Sequence, residues 1–167
     1  MIKKITEIII FIAVALFIVP ACSSTTELYK GKIANQHDRI HINSSGSNSG
    51  LWKTKELSVN YTYSSTSDNF NMTGFISISE HITNTYSRIM TLYVRVSFLD
   101  NNGRVISTNN INPLYSVGST PPRKIKFNSN LSLPVEADAF CFSYFGEFKG
   151  DADMNSASQY IVKIPFH

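Results

Sequence analysis

After Gly50 apolar and polar residues alternate along most of the chain, and a period of two predicts half-buried strands. Leu57, Val59, Tyr61 and Tyr63 fall on one side of the first run, with Ser58, Asn60 and Thr62 on the other. Phe70, Met72, Gly74, Ile76, Ile78 and Ile82 share the face of a second run. Met90, Leu92, Val94, Val96 and Phe98 make the cleanest alternation, and that strand is expected at the centre of the core. Asp100-Asn-Asn-Gly103 follows it directly, a hairpin signal because Asn and Gly tolerate positive φ, so Arg104 to Thr108 should be the returning strand.

Asn109 to Pro122 is rich in Asn, Ser, Gly and Pro, a connection suited to crossing between sheets. Ile125 and Phe127 then alternate with Lys124, Lys126 and Asn128. Ala139 to Phe148 carries an aromatic stripe, Phe140, Phe142, Tyr144 and Phe148, and its other phase, with Ala139, Cys141 and Phe145, is also mostly apolar. This strand should be covered on both faces. Tyr160, Val162, Ile164 and Phe166 alternate with Ile161 and Lys163 in a last strand. About seven short strands separated by turn signals, with no helical period after Val19, predict an all-β antiparallel sandwich of immunoglobulin-like form.

Two N-terminal stretches break the alternation. Lys3 and Lys4 precede an apolar run from Ile8 to Val19, too short to span a bilayer, which takes about 20 apolar residues, and read instead as a secretory signal. From Ser23 to Gly50 the composition turns to Ser, Thr, Asn and Gly with isolated charges. A segment of that kind buries too little apolar surface to order itself, and is expected to be a flexible tether with a reach near 30 Å. Leu28, Tyr29, Ile33, Ile40 and Ile42 interrupt its polarity and could form a short docking strand or helical turn. The expected organisation is therefore a signal peptide over 1–21, a lipidated cysteine and tether over 22–50, and the sandwich over 51–167.

Val19-Pro-Ala-Cys22 resembles the lipobox of bacterial prolipoproteins, with a branched apolar residue three before the cysteine and a small residue directly before it. The resemblance implies cleavage before Cys22, acylation of Cys22 and a membrane anchor through that lipid. Ser23 after the cysteine, in place of Asp, resembles the sorting signal for the outer membrane, facing the periplasm or the surface. Leu92 to Ile106, LYVRVSFLDNNGRVI, is similar to the strand, turn and strand of FxLYD-type immunoglobulin-like lipoprotein domains, with Val96-Ser-Phe-Leu-Asp100 where the family motif stands. That likeness covers about 15 residues and brings no catalytic residue with it.

The formal net charge is +3 over 167 residues, and no dense Lys/Arg stripe follows Lys4, so nucleic-acid binding is not expected. If Cys22 carries lipid, Cys141 has no partner, and an unpaired thiol outside the cytosol is expected buried and inert. His37 and His41 stand four apart, a spacing that on a helix would bring two imidazoles to one metal, but no glutamate of a zinc-protease site lies between them. Asp151, Asp153 and Asn155 match the first three ligand positions of a calcium loop, while Ser156 and Val162 stand where the required Gly and bidentate Glu would be. His81 and His167 read as exposed surface residues, and the Phe140, Phe142 and Tyr144 stripe as core in preference to a stacking platform. No nucleophile elbow or phosphate-cradling loop marks a catalytic centre, and no cofactor is implied.

The expected function is that of a non-enzymatic cell-envelope lipoprotein, a binding or assembly module with an envelope protein partner engaged through a sheet edge or loop. The alternative is a calcium- or carbohydrate-binding module, and the least favoured is a secreted hydrolase.

Overall fold

The computed structural model describes residues 27–112, 120–150 and 158–167. The segment read as a signal peptide, Cys22, and the calcium candidates Asp151, Asp153 and Asn155 lie outside the described residues. No helix among the described residues is long and apolar enough to cross a membrane.

The alternating runs form two antiparallel sheets, with nine strands among the described residues where about seven were expected. One sheet has the order β2 (Ser47–Lys53), β3 (Leu57–Ser65), β4 (Asn69–Ile78) and β7 (Lys124–Ser132). The other runs β6 (Val105–Asn110), β5 (Arg88–Leu99), β8 (Ala139–Lys149). Beyond β8 its far edge is shared by β1 (Ile40–His41) at the start and β9 (Ser158–Lys163) along the rest. With β3, β4 and β7 facing β6, β5, β8 and β9, the chain has the strand order of an immunoglobulin-like sandwich. The connection between β6 and β7 passes from one sheet to the other, as its composition suggested.

The core lies between the sheets and is built from one phase of each strand. Val59, Phe70, Met72, Ile76, Val94, Val96, Phe98, Phe140, Phe142 and Phe148 are fully buried there. Phe140 is the hub of its aromatic part, with edge contacts to Tyr61, Tyr63, Phe70 and Phe142 at centroid distances of 5.4 to 5.8 Å. Such edge-to-face pairs add to the gain from burial. Gly74 sits in the middle of β4 because a Cβ there would run into the carbonyl of Asn60 on β3.

Three details depart from strict alternation. The ladder between β5 and β8 shifts register between Ile89 and Thr91, so Ile89 is fully buried and Met90, expected inward, is only half-buried. A bulge of this kind inserts one residue and flips the phase on its far side. Ile82 is buried, but from a short helix, α1 (Glu80–Thr85), that closes the end of the core after β4. Ile161 is the inward residue of β9, which turns Tyr160, Val162 and Ile164 outward.

The larger correction concerns residues 27–50, which are part of the fold and not a tether. A strap of residues 28–39 crosses the outer face of the five-stranded sheet. At one edge Gly31 N donates to Val105 O, and Val105 N to Lys32 O (2.9 and 2.8 Å). At the other, Asn35 N donates to Pro165 O and His167 N to Ile33 O (2.8 and 3.1 Å). Ala34 is thereby buried against Leu99, Val105, Ala139 and Cys141, with Tyr29 and Phe166 over them. Arg39 locks the strap, its Nε and Nη2 donating to Ala34 O (3.0 and 2.7 Å), and its guanidinium fills the space over Gly103. Gly103 is thus required both for the hairpin's positive φ (79°) and for the room Arg39 takes. Composition alone misjudged the segment because its few apolar residues fall on ready-made partners, so little burial suffices to order it.

Candidate functional site

Register places the outward side chains of the five-stranded sheet in rows that cross its strands. Thr108, Ser97 and Cys141 form one row on β6, β5 and β8. Asn110, Arg95 and Ser143 form the next, and Tyr93, Phe145 and Val162 the one beyond, reaching β9. The strap covers the first row. Ser97 Oγ and Thr108 Oγ1 are 2.8 Å apart and both buried, and Thr108 Oγ1 donates to Leu28 O at 2.7 Å. Cys141 is fully buried, and burial pushes its thiol up to about 12. At neutral pH it is a buried, protonated thiol and so a poor nucleophile.

The second row is different. Arg95 Nε, Asn110 Oδ1 and Ser143 Oγ are buried atoms without any hydrogen-bond partner. The Arg95 guanidinium lies 4.8 Å from the Tyr93 ring centroid and forms no ion pair among the described residues. Burial lowers its pKa from the ordinary value, opposed by the neighbouring Tyr29 and Tyr93. Buried polar groups in folded proteins are nearly always paired, so three orphans in one row across three strands is an anomaly that needs a cause. The third row opens into an apolar band: Tyr160, Val162 and Ile164 are 54, 50 and 48 % exposed, and the Tyr160 ring lies tilted beside Phe145 with a centroid separation of 6.2 Å. Glu147 borders the band and accepts from Ser158 Oγ and Tyr160 Oη (3.1 and 3.4 Å).

Beside β9 the two sheets part to leave a cleft of about 500 Å³, lined among others by Lys55, Glu56, His81, Ile82 and Tyr160. Glu56, one of its lining residues, accepts through Oε2 from Tyr144 Oη (2.7 Å), which also lies 3.1 Å from Thr54 Oγ1. Burial and the Glu56 bond push this phenol up to about 12, so it stays protonated and serves as a structural donor.

His37 and His41 do not converge. His37 is in a 3-10 turn (Gln36–Asp38) beside Asp38 (3.3 Å), whereas His41 is in β1 with its Nδ1 3.0 Å from Asp138 Oδ2. His81 lies exposed on α1, and His167 Nδ1 is 3.1 Å from Asn35 Oδ1. No cluster of three or more metal-ligating side chains occurs among the described residues. The Phe140, Phe142 and Tyr144 stripe is core, as expected.

Sequence reasoning missed the Asn110–Arg95–Ser143 row entirely. Its members come from three strands, and only the registers of β5 with β6 and β8 bring them together. The available signal was Arg95, a single charge in the middle of the most apolar strand. Comparison with protein-family models, with curated proteins and with solved structures found no match.

Proposed function

We propose that this chain is a cell-envelope lipoprotein, anchored through lipid on Cys22, whose sandwich is a non-catalytic binding or assembly module that docks a partner protein on the open part of the outer face of the five-stranded sheet. One observation carries the docking reading: Tyr160 and Val162 on β9 and Ile164 just past its end stand about half exposed, with Val162 next to Phe145 and Tyr93 across the sheet. Clustered exposure of this sort marks an interaction surface, whereas single exposed apolar residues are ordinary. The anchor reading is supported by the resemblance of Val19 to Cys22 to a lipobox and by the apolar run before it.

Two tests follow. Cys22→Ala should abolish labelling by a palmitate analogue and release the protein from the membrane fraction; retention of both would refute the anchor. A photoreactive amino acid at position 162 should give a discrete protein adduct in intact cells, and one at position 75, exposed on the opposite sheet, should not. Equal or absent adducts from the two positions would refute the docking surface.

A further inference from the structure

We propose that the Asn110–Arg95–Ser143 row is a carboxylate-recognition site, which takes the acidic side chain of a polypeptide segment laid on the open face alongside the chain's own strap. The inference rests on the docking reading above and adds to it the chemistry of the partner.

Arg95 lacks a partner for its donors among the described residues. A guanidinium has five N–H donors and a fixed charge, and it is ordinarily left half-buried only with a carboxylate, phosphate or set of carbonyls to receive those donors. Arg95 has the Tyr93 ring beneath it and no acceptor among the described residues, although Ser143 and Asn110 stand directly opposite it on the strands to either side. Those two neighbours are unsatisfied as well, and Ser143 is only 1 % exposed. A row built merely to fill the sheet would carry Val or Thr at these positions. Such a row would leave no polar atom unpaired, as in the adjacent strap-covered row, where the Ser97 and Thr108 hydroxyls bond each other and Leu28 O.

The row's chemistry selects a monoanion with two acceptor oxygens. One carboxylate can accept from two N–H groups of the Arg95 fork, which is the geometry that guanidinium pairs favour, and from the Ser143 hydroxyl. The Asn110 amide presents either its oxygen or its NH2 by a half-turn about χ2. Arg95 is the only cation of the row, so a single negative charge is neutralised and a second would not be. Apolar side chains flank the site on the side of Phe145, Val162 and Ile164, which suits apolar neighbours of the acidic residue and not a free ion.

Geometry also says how the segment lies. The strap crosses the strands over the Thr108–Ser97–Cys141 row, with Leu28 bonded to Thr108 and Tyr29 near Arg95. A partner segment placed parallel to it, one row further along, would continue the same covering layer. It would offer acceptors to the Arg95 guanidinium, whose row is already buried but unpaired, and would bury the apolar band.

The test uses the full chain in detergent and fluorescently labelled peptides. The probe is acetyl-Val-Thr-Glu-Thr-Val-amide, compared with the same peptide carrying Gln for Glu, and with acetyl-Val-Thr-Val ending in a free carboxylate. The Glu peptide should bind roughly tenfold more tightly than the Gln peptide, the factor that charge-assisted hydrogen bonds supply. Arg95→Met should erase that preference while leaving the thermal midpoint unchanged or higher. Ser143→Ala should reduce the preference a few-fold with the fold intact. Equal binding of the Glu and Gln peptides would overturn the carboxylate site and leave the docking surface standing. Preference for the free terminus over the Glu side chain would overturn the side-chain assignment. Binding by none of the peptides at millimolar concentration would also overturn the proposal, and the docking surface with it unless the adduct from position 162 is seen. A lowered midpoint in Arg95→Met with an undiminished Glu preference would show Arg95 to be structural.

Discussion

The outer face of the five-stranded sheet has two halves made of the same strands, and they are finished differently. Under the strap, Ala34, Leu99, Ala139 and Cys141 are almost wholly buried, and the hydroxyls of Ser97 and Thr108 satisfy each other and Leu28 O. One row further along, Arg95 Nε, Asn110 Oδ1 and Ser143 Oγ are buried and unpaired, and beyond them Tyr160, Val162 and Ile164 are half exposed. A sheet that needed only to fold could have been closed in the same way along its whole length. Among the described residues, the strap covers and pairs one half, and the other keeps both exposed apolar surface and unpaired hydrogen-bonding groups.

Substitutions in the two halves should therefore behave oppositely, beginning with the largest effect. Leu99→Ala, in the covered half and fully buried, should lower unfolding free energy by about 2–5 kcal/mol in a urea titration, through lost transfer energy and the cavity left behind. Val162→Asp, in the open half, should change it by no more than about 0.5 kcal/mol, as exposed positions do, while the adduct from a photoreactive residue at position 160 is lost. A destabilisation of Val162→Asp comparable to that of Leu99→Ala would break the distinction.

Gly103→Ala tests how the strap is held. The positive φ and the space occupied by Arg39 both oppose a Cβ, and a loss of about 1–3 kcal/mol is expected, accompanied by earlier proteolytic cutting within residues 28–39. The sharpest pair is chemically identical. Ser97→Ala removes half of a buried hydrogen bond and should cost about 1–2 kcal/mol, whereas Ser143→Ala removes an unsatisfied hydroxyl and should be neutral or slightly stabilising. Equal costs for the two would mean that Ser143 has a partner in solution.

The smallest effect is one of pH. Cys141 and Tyr144 both have folded pKa values raised to about 12, above the ordinary 9 and 10 of the unfolded chain. Between those values the unfolded state has released protons that the folded state still holds, so stability is unaffected below pH 9 and falls as pH rises toward 12. A thiol reagent should leave Cys141 unmodified at pH 8 in the folded chain and modify it in denaturant. Rapid modification of the folded chain would place the thiol outside the covered half.

Much of the fold is legible in the alternation. The runs from Leu57 to Tyr63, Phe70 to Ile78 and Ala139 to Phe148 become β3, β4 and β8 with the expected residues inward, because a strand covered by a second sheet must put one phase into the core. The Asp100 to Gly103 turn forms as its residues dictate, with Asp100 Oδ1 accepting from the backbone N–H groups of Asn102 and Arg104 at 2.9 and 2.8 Å. What the alternation does not encode is register and cover. The bulge before Thr91 moves Met90 off the core face without any breaker residue to signal it. The Asn112 side chain extends β6 by standing in for backbone, accepting from Val94 N at 2.6 Å and donating to Leu92 O at 3.0 Å, which no local pattern announces. Residues 27–39 look too polar to order themselves, and they order because the sheet supplies what they lack. The candidate site was invisible for the same reason, since Asn110, Arg95 and Ser143 are neighbours only once β6, β5 and β8 are paired in register.

The central claim is that the open half is occupied where the protein works, and hydroxyl-radical footprinting tests it most directly. Tyr160 and Phe75 are similarly exposed aromatic residues (54 and 46 %) on the outer faces of opposite sheets. In the purified chain both should be oxidised readily. In membranes isolated from producing cells, Tyr160 should be protected several-fold while Phe75 is oxidised as before; equal oxidation of Tyr160 in the two preparations would contradict the account.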